Sequence, residues 1–228
     1  MTTLVDPPSL LVDDLRARLH GPRGVRIALL KEVDDGLRDA AEAYQEAGAP
    51  PAEAARMAAD EFGDPAELAP LYQAELDACQ GRRAALLIAL AYPTMTLTWD
   101  ALWRYTSAGE TPAPENIVTV AGALDAGSYL VAIAAAVAIP LFARASAFWT
   151  RRLAIGVGLL GWLALVLSLS ASLWMAQANN DPGALPMEPS LPGILVVGLT
   201  VAASLAIAVS ATLTLARVSR SSVPLAAR

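Results

Sequence analysis

Two hydrophobic patterns divide this chain of 228 residues near position 80. Before that point apolar residues recur every third or fourth position, the signature of one helix face turned to a core. Beyond it they run in blocks long enough to cross a hydrocarbon layer of about 30 Å, which takes roughly 20 helical residues.

The first region predicts short helices. Helix one follows Pro7-Pro8, with Ser9 as its expected N-cap, and stacks Leu11, Leu15 and Leu19 on one face. Gly21-Pro22 ends it. Helix two, about residues 22–47, spaces Ile27, Leu30, Val33, Leu37, Ala41 and Tyr44 as a core stripe and leaves its other side charged. Gly48 closes it, and Pro50-Pro51 opens helix three, 51–62, with Ala54, Ala55, Ala58 and Phe62 apolar. In Phe62-Gly63-Asp64-Pro65-Ala66-Glu67, Gly63 stops one helix, Asp64 caps the next, and Asp64 with Glu67 has the spacing of a capping box. Helix four then carries Leu68, Leu71, Tyr72 and Leu76, and only Gly81-Arg82-Arg83 separates it from the first apolar block.

The second region predicts four spans, at about 84–103, 122–143, 153–176 and 191–216. The first contains Pro93 and ends on Trp99, Trp103 and Tyr105, aromatics suited to a membrane interface. Arginines sort to one side: Arg82 and Arg83 before span one, Arg144, Arg151 and Arg152 between spans two and three, and Arg217, Arg220 and Arg228 after span four. The opposite connections, 104–120 and 177–190, hold only Arg104. The positive-inside rule then places both termini in the cytoplasm of a multi-pass plasma-membrane protein. No charged n-region with a short apolar core opens the chain, so span one is expected to direct insertion. The expected fold is all-α: a cytoplasmic helical domain over residues 1–80 and a four-span domain over 81–228.

Charge sharpens this division. Residues 1–80 carry 16 acidic and 7 basic side chains, net −9, whereas residues 81–228 carry 6 and 9, net +3. An acidic head of this kind is a poor partner for nucleic acid, whose binding rests on neutralising phosphates. It suits a basic protein surface, and the exposed acids of helix two, Asp34, Asp35, Asp39 and Glu42, are the candidate contacts. A solvated helix face has the same pattern. Asp100 and Asp125 are the acids near the spans, and both map to outer ends, with Arg104 a turn beyond Asp100 as its expected partner. Small residues at four-residue spacing, such as Ala154 with Gly158 and Ala202 with Ala206 and Ser210, read as packing within the bundle or, alternatively, as a homo-oligomer contact.

The module before the spans resembles a family. The residues concerned are Leu19-His20-Gly21-Pro22-Arg23 with Arg26, Leu30-Lys31-Glu32-Val33, Leu37-Arg38-Asp39-Ala40, Pro51-Ala52-Glu53-Ala54-Ala55 and Phe62-Gly63-Asp64-Pro65. Over about residues 10–70 this order is similar to the permease prefix, or HAAS-type, domain of bacterial membrane proteins; Gly36-Leu37 stands where such modules often carry His-Leu. The resemblance implies a regulatory module, often encoded beside PadR-like transcription regulators or in front of permease domains, and it implies no catalytic residues.

The chemistry of the remainder is sparse. One cysteine, Cys79, and one histidine, His20, exclude a disulfide framework and a zinc site of Cys and His ligands. Phosphate-binding, dinucleotide, metalloprotease and nucleophile-elbow motifs are absent. Asp13-Asp14 and Asp34-Asp35 are neighbours on a helix, about 100° apart, and do not converge on one ion. His20 is expected to close helix one, and Cys79 reads as a passive small residue. No cofactor, metal or catalytic residue is expected. The expected function is non-enzymatic: a membrane-anchored head that binds a cytoplasmic protein, a PadR-like regulator in one version. The alternative is a transporter subunit or accessory protein.

Overall fold

The structure is a computed structural model and describes residues 7–106, 114–178 and 191–220. Among the described residues every regular element is helical: α1 (Pro7–Arg18), α2 (Arg23–Glu46), α3 (Pro51–Phe62), α4 (Pro65–Thr106), α5 (Glu115–Arg144), α6 (Ala147–Ala178) and α7 (Leu191–Arg220). The chain divides after Gln80 into two compact units. The α4 helix contributes its beginning to the first unit and its remainder, from Gly81, to the second.

In the first unit α1, α2 and α3 pack pairwise, with the start of α4 beside them. Leu11, Val12, Leu15 and Leu19 of α1 meet Leu29, Leu30, Val33 and Leu37 of α2, and Ala69 and Leu76 of α4 complete the core. Leu15, Leu19, Leu37 and Leu76 are at most 1% exposed, so these positions dominate the burial. Small residues let α3 come close, since Ala54 and Ala58 are fully buried.

Three details differ from the sequence expectation. Ser9 lies inside α1, because the helix already opens at Pro7, where a fixed φ and a missing N–H cost nothing. Ile27 is 53% exposed, as is Leu71 at 64%, while Leu29 and Ala69 are buried. The inner stripe of α2, Leu30, Val33, Leu37 and Ala41, extends back one turn to Arg26, whose Nη1 donates to the Leu19 carbonyl at 3.1 Å. The third difference is at the corner before α4. Asp64 accepts from the Ala66 amide at 2.8 Å, an Asx turn, and not from Glu67, whose amide donates instead to the Asp64 carbonyl. Gly48 and Gly63 take φ of about 100° and 97°, the left-handed region that ends α2 and α3 at low cost.

The second unit holds four helices long and apolar enough to cross a membrane: the apolar part of α4, and α5, α6 and α7. The chain is therefore an all-α multi-pass membrane protein. Its helices approach through small residues. A Cβ at Gly81 would overlap the Phe142 ring of α5, with one ring carbon at 2.6 Å. Gly158 faces Leu215 of α7, and Gly161 faces Ile88 of α4 and Ile207 of α7. Ala154 and Gly158 thus pack inside the bundle, whereas Ala202 and Ala206 are exposed on α7, the least covered of the four. Two indoles tie helices together: Trp99 Nε1 donates to Thr200 at 3.0 Å and Trp162 Nε1 to Thr212 at 3.2 Å.

The connections are shorter than the sequence suggests. The α5 helix begins at Glu115 behind Pro114, so it takes in residues expected in the 104–120 loop. Only Ala145 and Ser146 part α5 from α6, which places Arg151 and Arg152 in the first turns of α6. The expected turn at 179–183 lies outside the described residues.

Candidate functional site

The acids of α2 were the sequence's candidate contacts, and the structure separates them. Asp34 accepts from Arg38 at 2.9 Å, and Asp35 accepts from Lys31 at 2.8 Å with Arg38 at 3.6 Å on its other side. All three pairs are three or four residues apart, the spacing at which helix side chains meet. Asp34 and Asp35 are thus neutralised within their own helix and half-buried. Asp39 and Glu42 are exposed, and among the described residues neither forms an ion pair. Glu46 continues the same face one turn further and is also exposed. Its spacing of four residues from Glu42 and seven from Asp39 is the signal that extends the face.

The bond from Lys31 holds the Asp35 carboxyl below the usual carboxylate range, and the same bond pushes Lys31 up. Tyr44 donates to Glu61 at 2.7 Å and so links α2 to α3, which raises the phenol above its usual value. Beside the acidic face lies a groove of about 400 Å³ between α1 and α2, lined by Val12, Asp13, Arg16, Ile27, Leu30 and Asp34 among others. It combines apolar walls with a rim of both charges.

His20 sits where α1 ends. Its Nδ1 lies 2.8 Å from the Arg18 carbonyl, and its backbone is held by the Gln73 side chain in two reciprocal bonds of 2.9 and 2.8 Å. Gln73 also donates to Asp77 at 2.8 Å. This clasp joins the end of α1 to α4, and the sequence pattern contains no sign of it.

Among the described residues of the bundle, much of the polar chemistry is that of hydroxyls. Thr94, Thr98 and Thr214 donate back to carbonyls four residues earlier, as hydroxyls do in apolar surroundings. Tyr92 is buried, with Ser168 of α6 beside its hydroxyl. Asp100 and Asp125 are half-buried and within electrostatic reach of each other across α4 and α5. The expected pair of Asp100 with Arg104 is not formed: among the described residues no ion pair joins them, and Arg104 is exposed. One turn along a helix does bring such groups near, but an exposed pair gains too little to hold both side chains in place. Among the described residues no group of three His, Cys, Asp or Glu side chains could hold a metal ion.

The fold and these sites define a multi-pass α-helical membrane protein with an N-terminal helical unit. Compared with protein-family models, characterised proteins and solved structures, the chain matches none of them.

Proposed function

We propose that this is a non-enzymatic, membrane-anchored regulatory protein. Its four spans hold residues 1–80 at the cytoplasmic face of the plasma membrane, with both termini inside, and the α2 face binds a basic surface of a cytoplasmic protein. The observation that carries this reading is the exposed run of Asp39 and Glu42, unpaired among the described residues, on a unit of net charge −9. Charge of one sign on a rigid helix speeds and orients the approach of an oppositely charged partner. The resemblance to permease prefix domains makes a PadR-like regulator the partner of choice, since a DNA-binding protein carries a basic face.

The test is photo-crosslinking in the native cell from positions 43 and 46 of the full chain, both exposed on the same stretch of α2, with captured proteins identified by mass spectrometry. A soluble DNA-binding regulator, lost in a D39K/E42K variant, is the expected result. Equal capture by that variant would sink the reading. A second reading, a transporter subunit or accessory protein, draws support from the polar pair of Tyr92 and Ser168 inside the bundle. Capture of an ATPase or a large membrane subunit in place of the regulator would favour it.

A further inference from the structure

We propose that α6 carries a binding site for one anionic phospholipid, its phosphate on Arg152 and one acyl chain in the groove below. This rests on the membrane-spanning reading alone and not on the partner of α2. The groove, about 570 Å³, is lined by Gly156, Leu159, Leu160, Trp162, Leu163 and Val166. It is open to the outside of the bundle: Leu159, Leu163 and Val166 are each more than half exposed.

Three features choose the occupant. The first is length. From Gly156 to Val166 the helix rises about 15 Å, the depth of one leaflet in a core of about 30 Å, so the groove is as long as one acyl chain's share of the membrane. The second is shape. Gly156 leaves open space where a side chain would stand, and its neighbours on the stripe are branched aliphatics. Trp162 forms one wall, and its bond to Thr212 of α7 keeps the indole in place. The third is charge. Arg152 stands one turn before Gly156 on the same face and is exposed, with no ion pair among the described residues. Its guanidinium lies 4.2 Å from the Phe148 ring centre and 5.4 Å from that of Trp149, its neighbours one turn back. Stacking on those rings fixes the guanidinium at interface height and leaves its N–H edge for two parallel bonds to a phosphate. A zwitterionic lipid offers the same phosphate but adds a cation, which Arg144, Arg151 and Arg152 at this end of the bundle repel.

The full-length protein, purified in mild detergent, is offered equal amounts of phosphatidylglycerol and phosphatidylcholine, and retained lipid is counted by native mass spectrometry. One phosphatidylglycerol is expected to be held in preference. R152Q should lower that preference about fivefold, the worth of one arginine near an anionic surface. G156L, whose side chain enters open space, should displace the chain while helicity by circular dichroism stays unchanged. R104Q, at the other end of the bundle, should leave retention as it was. Equal retention of the two lipids by the parent overturns the site. So does a preference that R152Q leaves unchanged, phosphatidylglycerol retention that G156L leaves unchanged, or a preference that falls as much in R104Q as in R152Q.

Discussion

At the scale of single residues, Lys31 sets the acid titration of Asp35. The carboxyl is held low chiefly by the bond from Lys31, with Arg38 adding to it, so the stabilisation it brings is present above the ordinary carboxylate range and fades as pH falls through its lowered value. Lys31 is raised, so its share is complete below the ordinary ammonium value and fades as pH rises through the raised one. The pair therefore works between about pH 4 and about pH 10. Carbon-detected NMR of the full chain should place the Asp35 midpoint below the ordinary value, and K31Q should move it upward. No movement would show that the lysine is not its cause. Gly81 makes a sharper demand. With the Phe142 ring 4% exposed and already against the helix backbone, G81A forces that ring aside in a packed interior. Loss of about 1–3 kcal/mol is expected, the usual cost of overpacking, with partial recovery in G81A/F142L. Thermal unfolding in detergent reads both. The sequence presents Gly81 only as a residue between a helix and a span, because the phenylalanine it must admit lies 61 positions away.

At the scale of elements, the first unit depends on α1 lying over α2. Leu15 has no exposed surface, so L15A should cost about 2–5 kcal/mol, the transfer of its side chain plus the cavity left behind. The Gln73 clasp acts on the same helix by a different route. Q73L removes both bonds to the His20 backbone, and hydrogen exchange at the His20 amide should quicken while α5 and α6 are unaffected. Unchanged protection would mean that hydrophobic packing alone holds the end of α1. Helix positions were largely legible, since Gly48, Gly63 and the prolines at 51 and 65 punctuate the chain with strong local chemistry. The inward face was less so. Periodicity puts Ile27 and Leu71 on the core side, but burial depends on which neighbour covers a turn, and Arg26 and Ala69 hold the inner positions. Among the candidate acids, periodicity identified the face. It could not separate Asp34 and Asp35, paired with Lys31 and Arg38, from Asp39 and Glu42, because rotamers decide which of several nearby cations is met.

At the scale of the whole molecule, topology hangs on a few arginines. Arg144, Arg151 and Arg152 lie close together between two spans, separated by an interhelical connection of only two residues. If they hold that end in the cytoplasm, replacing all three by glutamine should yield a population with inverted middle spans. A tag after Arg228 and a cysteine introduced at the α5–α6 connection in a C79S background would report it by reagent accessibility from outside the cell. A fixed orientation in that variant would show that the other arginines suffice.

Length, composition and local punctuation already determined that this chain is all-helical, that four segments suit a bilayer, and that an acidic unit precedes them. Those properties depend on solvent preference and on interactions within a few residues. Tertiary structure alone decided which small residues face a neighbour, which acids are left without a counter-charge, and that Arg152 stands above an open groove. Each of these depends on contacts between residues far apart in sequence, or on the space left between them, and no local pattern encodes either.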